Sequence, residues 1–293
     1  MNSKQLAVGQ HVTARRTFSQ ADFDRFAALS GDVNPIHVDP EFSAKTKFGR
    51  TVCHGMLLYS TICKVLGDKL PGPGAVQLEQ ALMFPTPTFT GEEMTIDVEV
   101  NEVRPGDGVA ILETTISHAD GRIACQGQSA VSQDVRLLSQ GRNVNKQTRP
   151  SEAKTFKGLS IGQTAVTRRT FTDRVLAEYR DLTGDHNPLF GDAAYAQQAG
   201  LKQVMIPGGL LGGLFSYLLG TELPGRGTNW LKQQLAFIQP SYPGEEITAQ
   251  VQIIRLRPEK ELVNLRSKCL NPAGQVVCTG EALVLVSDLI TIS

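Results

Sequence analysis

The spacing of hydrophobic and polar positions changes several times along this chain. Met94, Ile96, Val98 and Val100 alternate with Thr95, Asp97 and Glu99, the period of two that predicts a half-buried strand. Two further apolar runs flank Asp120-Gly121, a dipeptide that predicts a hairpin turn. From Gly55 to Leu66 (GMLLYSTICKVL) apolar side chains fall on nearly every side. That pattern predicts a helix buried all round, roughly 18 Å long at about 1.5 Å per residue and ended by Gly67 and Pro71. Upstream, Ser19 and Asp22 form a capping box, with Phe18 and Phe23 as the hydrophobic staple around it. Phe23, Phe26 and Ala27 share one helical face and Gly31 is a C-terminal stop, so a short amphipathic helix delivers the chain to Asp32.

These patterns occur twice. Asp32 and Asp185 stand 153 residues apart, and the same offset holds without a gap from Val8/Ile161 to Val131/Val284. Arg15-Arg16-Thr17-Phe18 returns as Arg168-Arg169-Thr170-Phe171, Leu70-Pro71-Gly72 as Leu223-Pro224-Gly225, and Ser19 is matched by Thr172 as helix cap. Two copies at so long a period predict a pair of small domains folded together, not a solenoid. The expected division is residues 1–131, a polar linker over 132–160, and residues 161–293. Each unit is α+β, a buried central helix wrapped by an antiparallel sheet. Alone, each has a small core and an exposed strand edge, so one pseudo-dimeric body with a continuous sheet is expected.

Composition narrows the classes of function. Among 293 residues, 29 basic side chains balance 29 acidic ones, which gives nucleic-acid binding no electrostatic support. No apolar run approaches the length of a signal segment or a membrane span, and the C-terminal TIS is no recognised address; a cytoplasmic, membrane-free protein is the default. Cys53, Cys63, Cys125, Cys269 and Cys278 are odd in number and form no CxxC pair, so reduced core thiols are expected instead of a disulfide framework or structural zinc.

The repeat is unequal where polar residues cluster. The first copy reads GDVNPIHVD from Gly31 to Asp39 and the second GDHNPLFGD from Gly184 to Asp192, so Phe190 stands where the first copy has His37, and Pro207 where it has His54. That asymmetry predicts one working site, in the first half. The string FAALSGDVNPIHVDPEFSAKTKFGRTVCHGMLL, residues 26 to 58, resembles the signature of MaoC-like dehydratases and R-specific enoyl-CoA hydratases: an Asp, then Asn-Pro, a His five residues after the Asp, and a downstream His-Gly-Met. The resemblance covers nearly the whole chain outside the linker. It implies a double hot-dog fold, and it implies the reversible hydration of trans-2-enoyl thioesters to (R)-3-hydroxyacyl thioesters with no metal or other cofactor. The substrate would be carried by CoA or an acyl-carrier protein, and a homodimer of the two-unit chain is compatible with it.

Hydrating an enoyl thioester needs a base for water, a proton for the α-carbon and donors for the enolate oxygen. The resemblance and this chemistry point to Asp32 as base and His37 as water-orienting partner and proton donor, with Pro35 expected to hold the segment extended or turned instead of helical. The Gly55 N–H, at a helix N-terminus, is the oxyanion donor. Further candidates for substrate contact are Asn34, which is equally suited to a structural turn, and His54, which orients the helix entrance or simply packs. Lys45, Lys47 and Arg50 are candidates for the CoA phosphates. Cys63 occupies a position where such hydratases often carry serine. Gly212 and Gly213, with Gly208 and Gly209, either hollow an acyl channel or allow close packing between the halves. Two other readings remain open on sequence alone, a hot-dog thioesterase and a non-catalytic acyl-binding module.

Overall fold

The computed structural model describes residues 6–106, 108–139 and 153–289. In the first half β1 (His11–Thr17) leads through α1 (Gln20–Ser30), α2 (Pro35–Val38) and α3 (Pro40–Ala44) to the central helix α4 (Gly55–Asp68). Strands β2 (Val76–Met83), β3 (Glu93–Val103), β4 (Val109–His118) and β5 (Ile123–Ser132) follow. A small hairpin of β6 (Thr155–Phe156) and β7 (Leu159–Ser160) precedes the second half. There β8 (Thr164–Thr170), α5 (Asp173–Thr183), α6 (Ala193–Gln198) and the central helix α7 (Gly208–Tyr217) are followed by β9 (Asn229–Phe237), β10 (Glu246–Arg257), β11 (Leu262–Leu270) and β12 (Val276–Leu285). Within the stretch expected as linker, 132–160, a 3-10 turn at Val135–Ser139 buries Val135 and Leu138 against the core. Residues 140–152 lie outside the described residues.

Local signals produce the helices where the pattern placed them. The Ser19 side chain accepts from the Asp22 N–H, the Asp22 carboxylate takes the Ser19 N–H at 2.7 Å, and Gly31 closes α1 in the left-handed conformation. Helix α4 has 14 residues, about 21 Å, and runs through Gly67 instead of ending there. A Cβ on Gly67 would lie 2.9 Å from that of Asn187, so this glycine serves close approach between the halves, not termination.

All ten long strands join one antiparallel sheet in the order β1-β3-β4-β5-β2-β9-β12-β11-β10-β8. This is the double hot-dog arrangement: five strands wrap each central helix, and the halves meet where β2 pairs with β9. At that seam Ala81 faces Gln234, positions related by the 153-residue offset, so a pseudo-twofold axis passes between them. The free edges β1 and β8 carry Arg15-Arg16 and Arg168-Arg169, charges that discourage further strand pairing. No helix among the described residues is long and apolar enough to cross a membrane. All five cysteines are free and buried.

Helices α4 and α7 lie in contact beneath the sheet, and the glycines of α7 let it pack closely against α4, α1, α5 and β9. A Cβ on Gly212 would sit 2.6 Å from Met56 Sδ, on Gly213 2.9 Å from the Ser30 Cβ, and on Gly208 2.6 Å from the Phe237 ring, while on Gly209 it would strike Tyr179 and Ser60. Gly212 and Gly213 therefore do not open an acyl channel. They let α7 approach α4, at Gly212, and α1, at Gly213, both of the first half, the packing alternative of the two considered.

Candidate active site

Asp32 follows the left-handed stop of α1 and is 1% exposed. Its backbone N–H donates to Ser30 Oγ at 3.1 Å, one carboxylate oxygen, Oδ1, accepts the Asn34 N–H at 3.3 Å, and the other, Oδ2, accepts the Ser216 hydroxyl at 2.6 Å. Asn34 caps α2, whose first residue is Pro35. The expectation that proline keeps this segment out of a helix is corrected: at the first helical position its fixed φ fits and its missing N–H costs nothing. The short turn then swings His37 back over Asp32. Asn34 also donates from Nδ2 to the Gly220 carbonyl at 3.0 Å, so it ties the Asp32–Asn34 loop to the second half while lining the cavity.

His37 Nδ1 lies 2.7 Å from the Val52 carbonyl oxygen. A carbonyl only accepts, so Nδ1 carries the proton of the neutral ring and Nε2 presents its lone pair. That nitrogen stands 3.9 Å from Asp32 Oδ2. Two acceptors at this separation cannot bond to each other, but a water molecule donating one hydrogen to each can bridge them. His54 stacks on the His37 ring, centroids 3.8 Å apart, and its Nε2 lies 2.9 Å from the Asp32 carbonyl oxygen. Burial, then the neighbouring His37, pushes the His54 pKa down to about 3, so it is a neutral ring that supports Asp32 and His37 from below. It does not line the cavity. Asp32, His37 and His54 bring one potential ligand atom each within 4.8 Å of one another; the Val52 and Asp32 carbonyls take up His37 Nδ1 and His54 Nε2, while His54 Nδ1 is buried without a partner.

A cavity of about 540 Å³ opens from this pair, walled by both halves. Gly55 lines it at the N-terminus of α4, where no side chain caps the helix and the first N–H groups, without intrahelical partners, carry the positive end of the dipole. A Cβ at Gly55 would lie 3.0 Å from the Phe84 ring, so glycine lets Phe84 pack against the start of the helix. The cavity is further lined by Phe84, Pro85, Thr86, Trp230, Ser216, Leu219, Gly220 and Leu285, and by the charged residues Lys47, Arg226 and Asp288.

Several expected contacts fall elsewhere. Cys63 faces away from Asp32 and its thiol reaches Gln77 Oε1 at 3.3 Å; it lines a pocket of about 30 Å³ on the opposite side, with Asn187 and Phe190. The residue beside Asp32 is Ser216, the counterpart of Cys63 at the 153-residue offset, because each central helix presents this position to the other half's motif. Sequence reasoning placed it in the wrong site; the offset itself was the signal. Arg50 is committed to Glu92 at 2.7 Å and stacks on Phe89, Lys45 is exposed away from the cavity, and Lys47 pairs with Asp288, so these three do not form a common phosphate site. Arg226, not singled out from sequence, does line the cavity.

The second motif is closed. Asp185 is buried, its Oδ2 has no hydrogen-bond partner, and burial pushes its pKa up to about 6. Phe190 fills the place of an imidazole, and the adjoining 30 Å³ is room for about one water.

Both halves match the model of the MaoC like domain, over residues 3–121 and 157–268. The chain is 43% identical over 131 residues to the (R)-specific enoyl-CoA hydratase of Aeromonas caviae, which covers 45% of this chain and 98% of that protein. It is 38% identical over 126 residues to the 3-hydroxybutyryl-CoA dehydratase of Methylorubrum extorquens, covering 43% and 80%. Over the whole body it is similar in fold to a solved MaoC-like dehydratase, with TM-score 0.76, 18% identity and coverage of 96% and 98%. A conserved protein of Mycobacterium tuberculosis described as having a double hotdog fold is likewise similar, with TM-score 0.71, 15% identity and 96% of each chain.

Proposed function

Since this chain belongs to the MaoC-like domain family, we propose that it is a hydro-lyase that adds water across trans-2-enoyl thioesters to give (R)-3-hydroxyacyl thioesters, and runs the reverse dehydration, at the site built around Asp32 and His37. The observation that carries this reading is the 3.9 Å gap between Asp32 Oδ2 and His37 Nε2 on the wall of a cavity that also holds the uncapped N-terminus of α4.

The thioester carbonyl sits at the Gly55 N–H, which stabilises negative charge as it develops on the oxygen. The water held between the two acceptors then lies beside C3. Asp32 removes one of its protons as the oxygen attacks, while His37 holds the water by its other hydrogen. The enolate is quenched at C2 by a proton from the same Asp32, His37 and water unit, which over the cycle neither gains nor loses a proton. Ser216, donating to Oδ2, fixes the carboxylate so that water reaches one face of the alkene. Asn34 and His54 hold the loop in place.

Incubation with crotonyl-CoA, and separately with the crotonyl thioester of an acyl-carrier protein, tests the reading. Loss of enoyl absorbance with formation of the (R)-3-hydroxy product and no free thiol is expected from at least one of them. Asp32→Asn and His37→Ala should each lower kcat/KM about 10²- to 10⁴-fold. Thiol release faster than hydration would move the site to thioester hydrolysis instead.

A further inference from the structure

We propose that Arg169, a residue of the second half, is a positioning residue for Asp32: its guanidinium holds the end of α1 and the Gly31 turn, and so keeps the Asp32 carboxylate in register with His37. The proposal deepens the hydratase reading and rests on it.

Arg169 lies on β8, an edge strand, and its side chain crosses to the other half. Nη2 donates to the Ala28 carbonyl at 2.7 Å, and Nη1 lies against Gly31, where a Cβ would be only 2.9 Å from it. The last carbonyls of a helix have no intrahelical donor. Here the Gly31 N–H closes on Ala27 and the Asp32 N–H turns to Ser30 Oγ, so the Ala28 carbonyl takes its donor from Arg169. A cation is favourable at this negative end of the helix dipole. Gly31, at φ 85°, both ends the helix and leaves room for the guanidinium. Tyr217 flanks the same turn, 3.9 Å from the Gly31 Cβ position, and its neighbour Ser216 donates to Asp32 Oδ2. The second half thus grips Asp32 twice, by its carboxylate through Ser216 and by the turn just before it through Arg169.

The duplication supplies a comparison inside the same molecule. Arg16 is the counterpart of Arg169 at the 153-residue offset, and it too reaches into the other half. It donates to the Leu182 and Thr183 carbonyls at 2.8 and 3.2 Å, at the end of α5. There the turn glycine, Gly184, is packed by Lys64, 3.1 Å from the Cβ position, and not by the arginine. Burial draws both guanidiniums below the ordinary arginine value, so each is held in place against its own hydration. The two arms do the same structural work, a helix cap across the halves, but only that of Arg169 ends at a carboxylate paired with a histidine.

The test uses the full chain and whichever crotonyl thioester the parent hydrates. Arg169→Met keeps the apolar stem and removes donor and charge. It should lower kcat about 10- to 100-fold with KM within about twofold of the parent, because a shift of the base by about 1 Å costs up to about 10²-fold without touching substrate binding. Arg169→Lys, which keeps a cation and a donor, should restore kcat to within about threefold. Arg16→Met should also lower the urea midpoint, yet leave kcat and KM within about twofold, since it loosens only the half without the histidine. Amide hydrogen exchange over residues 28–34 should quicken more in Arg169→Met than in Arg16→Met. Arg169→Gln, whose amide falls short of Ala28, serves if Arg169→Met does not fold. Equal kcat losses from Arg169→Met and Arg16→Met, a loss carried by KM alone, no recovery in Arg169→Lys, or unchanged exchange over residues 28–34 would each overturn the proposal. A parent that hydrates no enoyl thioester would instead overturn the hydratase reading, and the exchange measurement would still decide whether Arg169 holds the turn.

Discussion

Asp185 is a carboxyl left in a place designed for a reaction that no longer has its partner. Its folded-state pKa, near 6, lies above the ordinary 3.8 because burial penalises the ionised form. Above about pH 6 both folded and unfolded chains are ionised there and the fold bears the whole penalty; as pH falls from 6 towards 3.8 the folded state takes the proton first and the penalty is withdrawn. His54 works the other way: its pKa near 3 instead of 6.5 means the unfolded chain binds a proton that the fold refuses, so stability is lost as pH falls through that range. Asp185→Asn leaves His54 untouched, and the difference between variant and parent isolates the carboxyl. Urea denaturation should show the variant more stable by roughly 1–3 kcal/mol at pH 7.5 and by almost nothing at pH 4, with hydratase activity within about twofold of the parent. A pH-independent difference, or loss of activity comparable to that of Asp32→Asn, would contradict this. At this scale the sequence was most readable: a kept aspartate beside a lost histidine is visible in two aligned strings. Ser216 was not, because the contact depends on which half a buried helix residue faces.

Helices α4 and α7 show why the glycine pattern was ambiguous. A stripe of Gly208, Gly209, Gly212 and Gly213 is what both a hollow channel and a close crossing require, and only the neighbour decides between them. Here the neighbours are Phe237, Tyr179, Ser60, Met56 and Ser30, all within contact of a hypothetical Cβ. Gly213→Ala and Gly209→Ala should therefore destabilise by about 1–3 kcal/mol through overpacking, in spite of the helix propensity alanine adds, as measured by chemical denaturation. If either raised stability, the crossing would have slack that the structure does not show. Helix α2 carries the opposite lesson. Asn-Pro was read as a breaker, yet a capped N-terminus is where proline belongs, and the four-residue turn is what brings His37 above Asp32. The capping box of α1 and the alternation of β3 were legible because their causes are local; the cap of α2 is equally local and was missed in the reading of Pro35, whereas the glycine stripe takes its meaning from tertiary contacts, with Met56 and Ser30 more than a hundred residues from Gly212 and Gly213.

The two halves have no core that is separately complete. β2 and β9 continue one sheet, Asn34 reaches Gly220, Arg16 donates to the Leu182 and Thr183 carbonyls, and the Asp32 carboxylate is held by a serine from the other half. The duplication made a shared body foreseeable, since a lone unit would expose a strand edge, but the seam register and the exchange of helix faces belong to tertiary packing that no periodicity records. Such a molecule should unfold as one cooperative unit. Trp230, the single tryptophan, sits on β9 beside Phe84 of the first half, so its fluorescence reports on the seam and the active cavity, whereas far-ultraviolet circular dichroism reports on both wraps. The two signals should give the same denaturant midpoint and the same slope, and activity should vanish over the same range. A dichroism transition that splits, with half of the sheet surviving after Trp230 is exposed, would mean that one hot-dog unit holds together without the other and that the joint site is assembled from parts of independent stability.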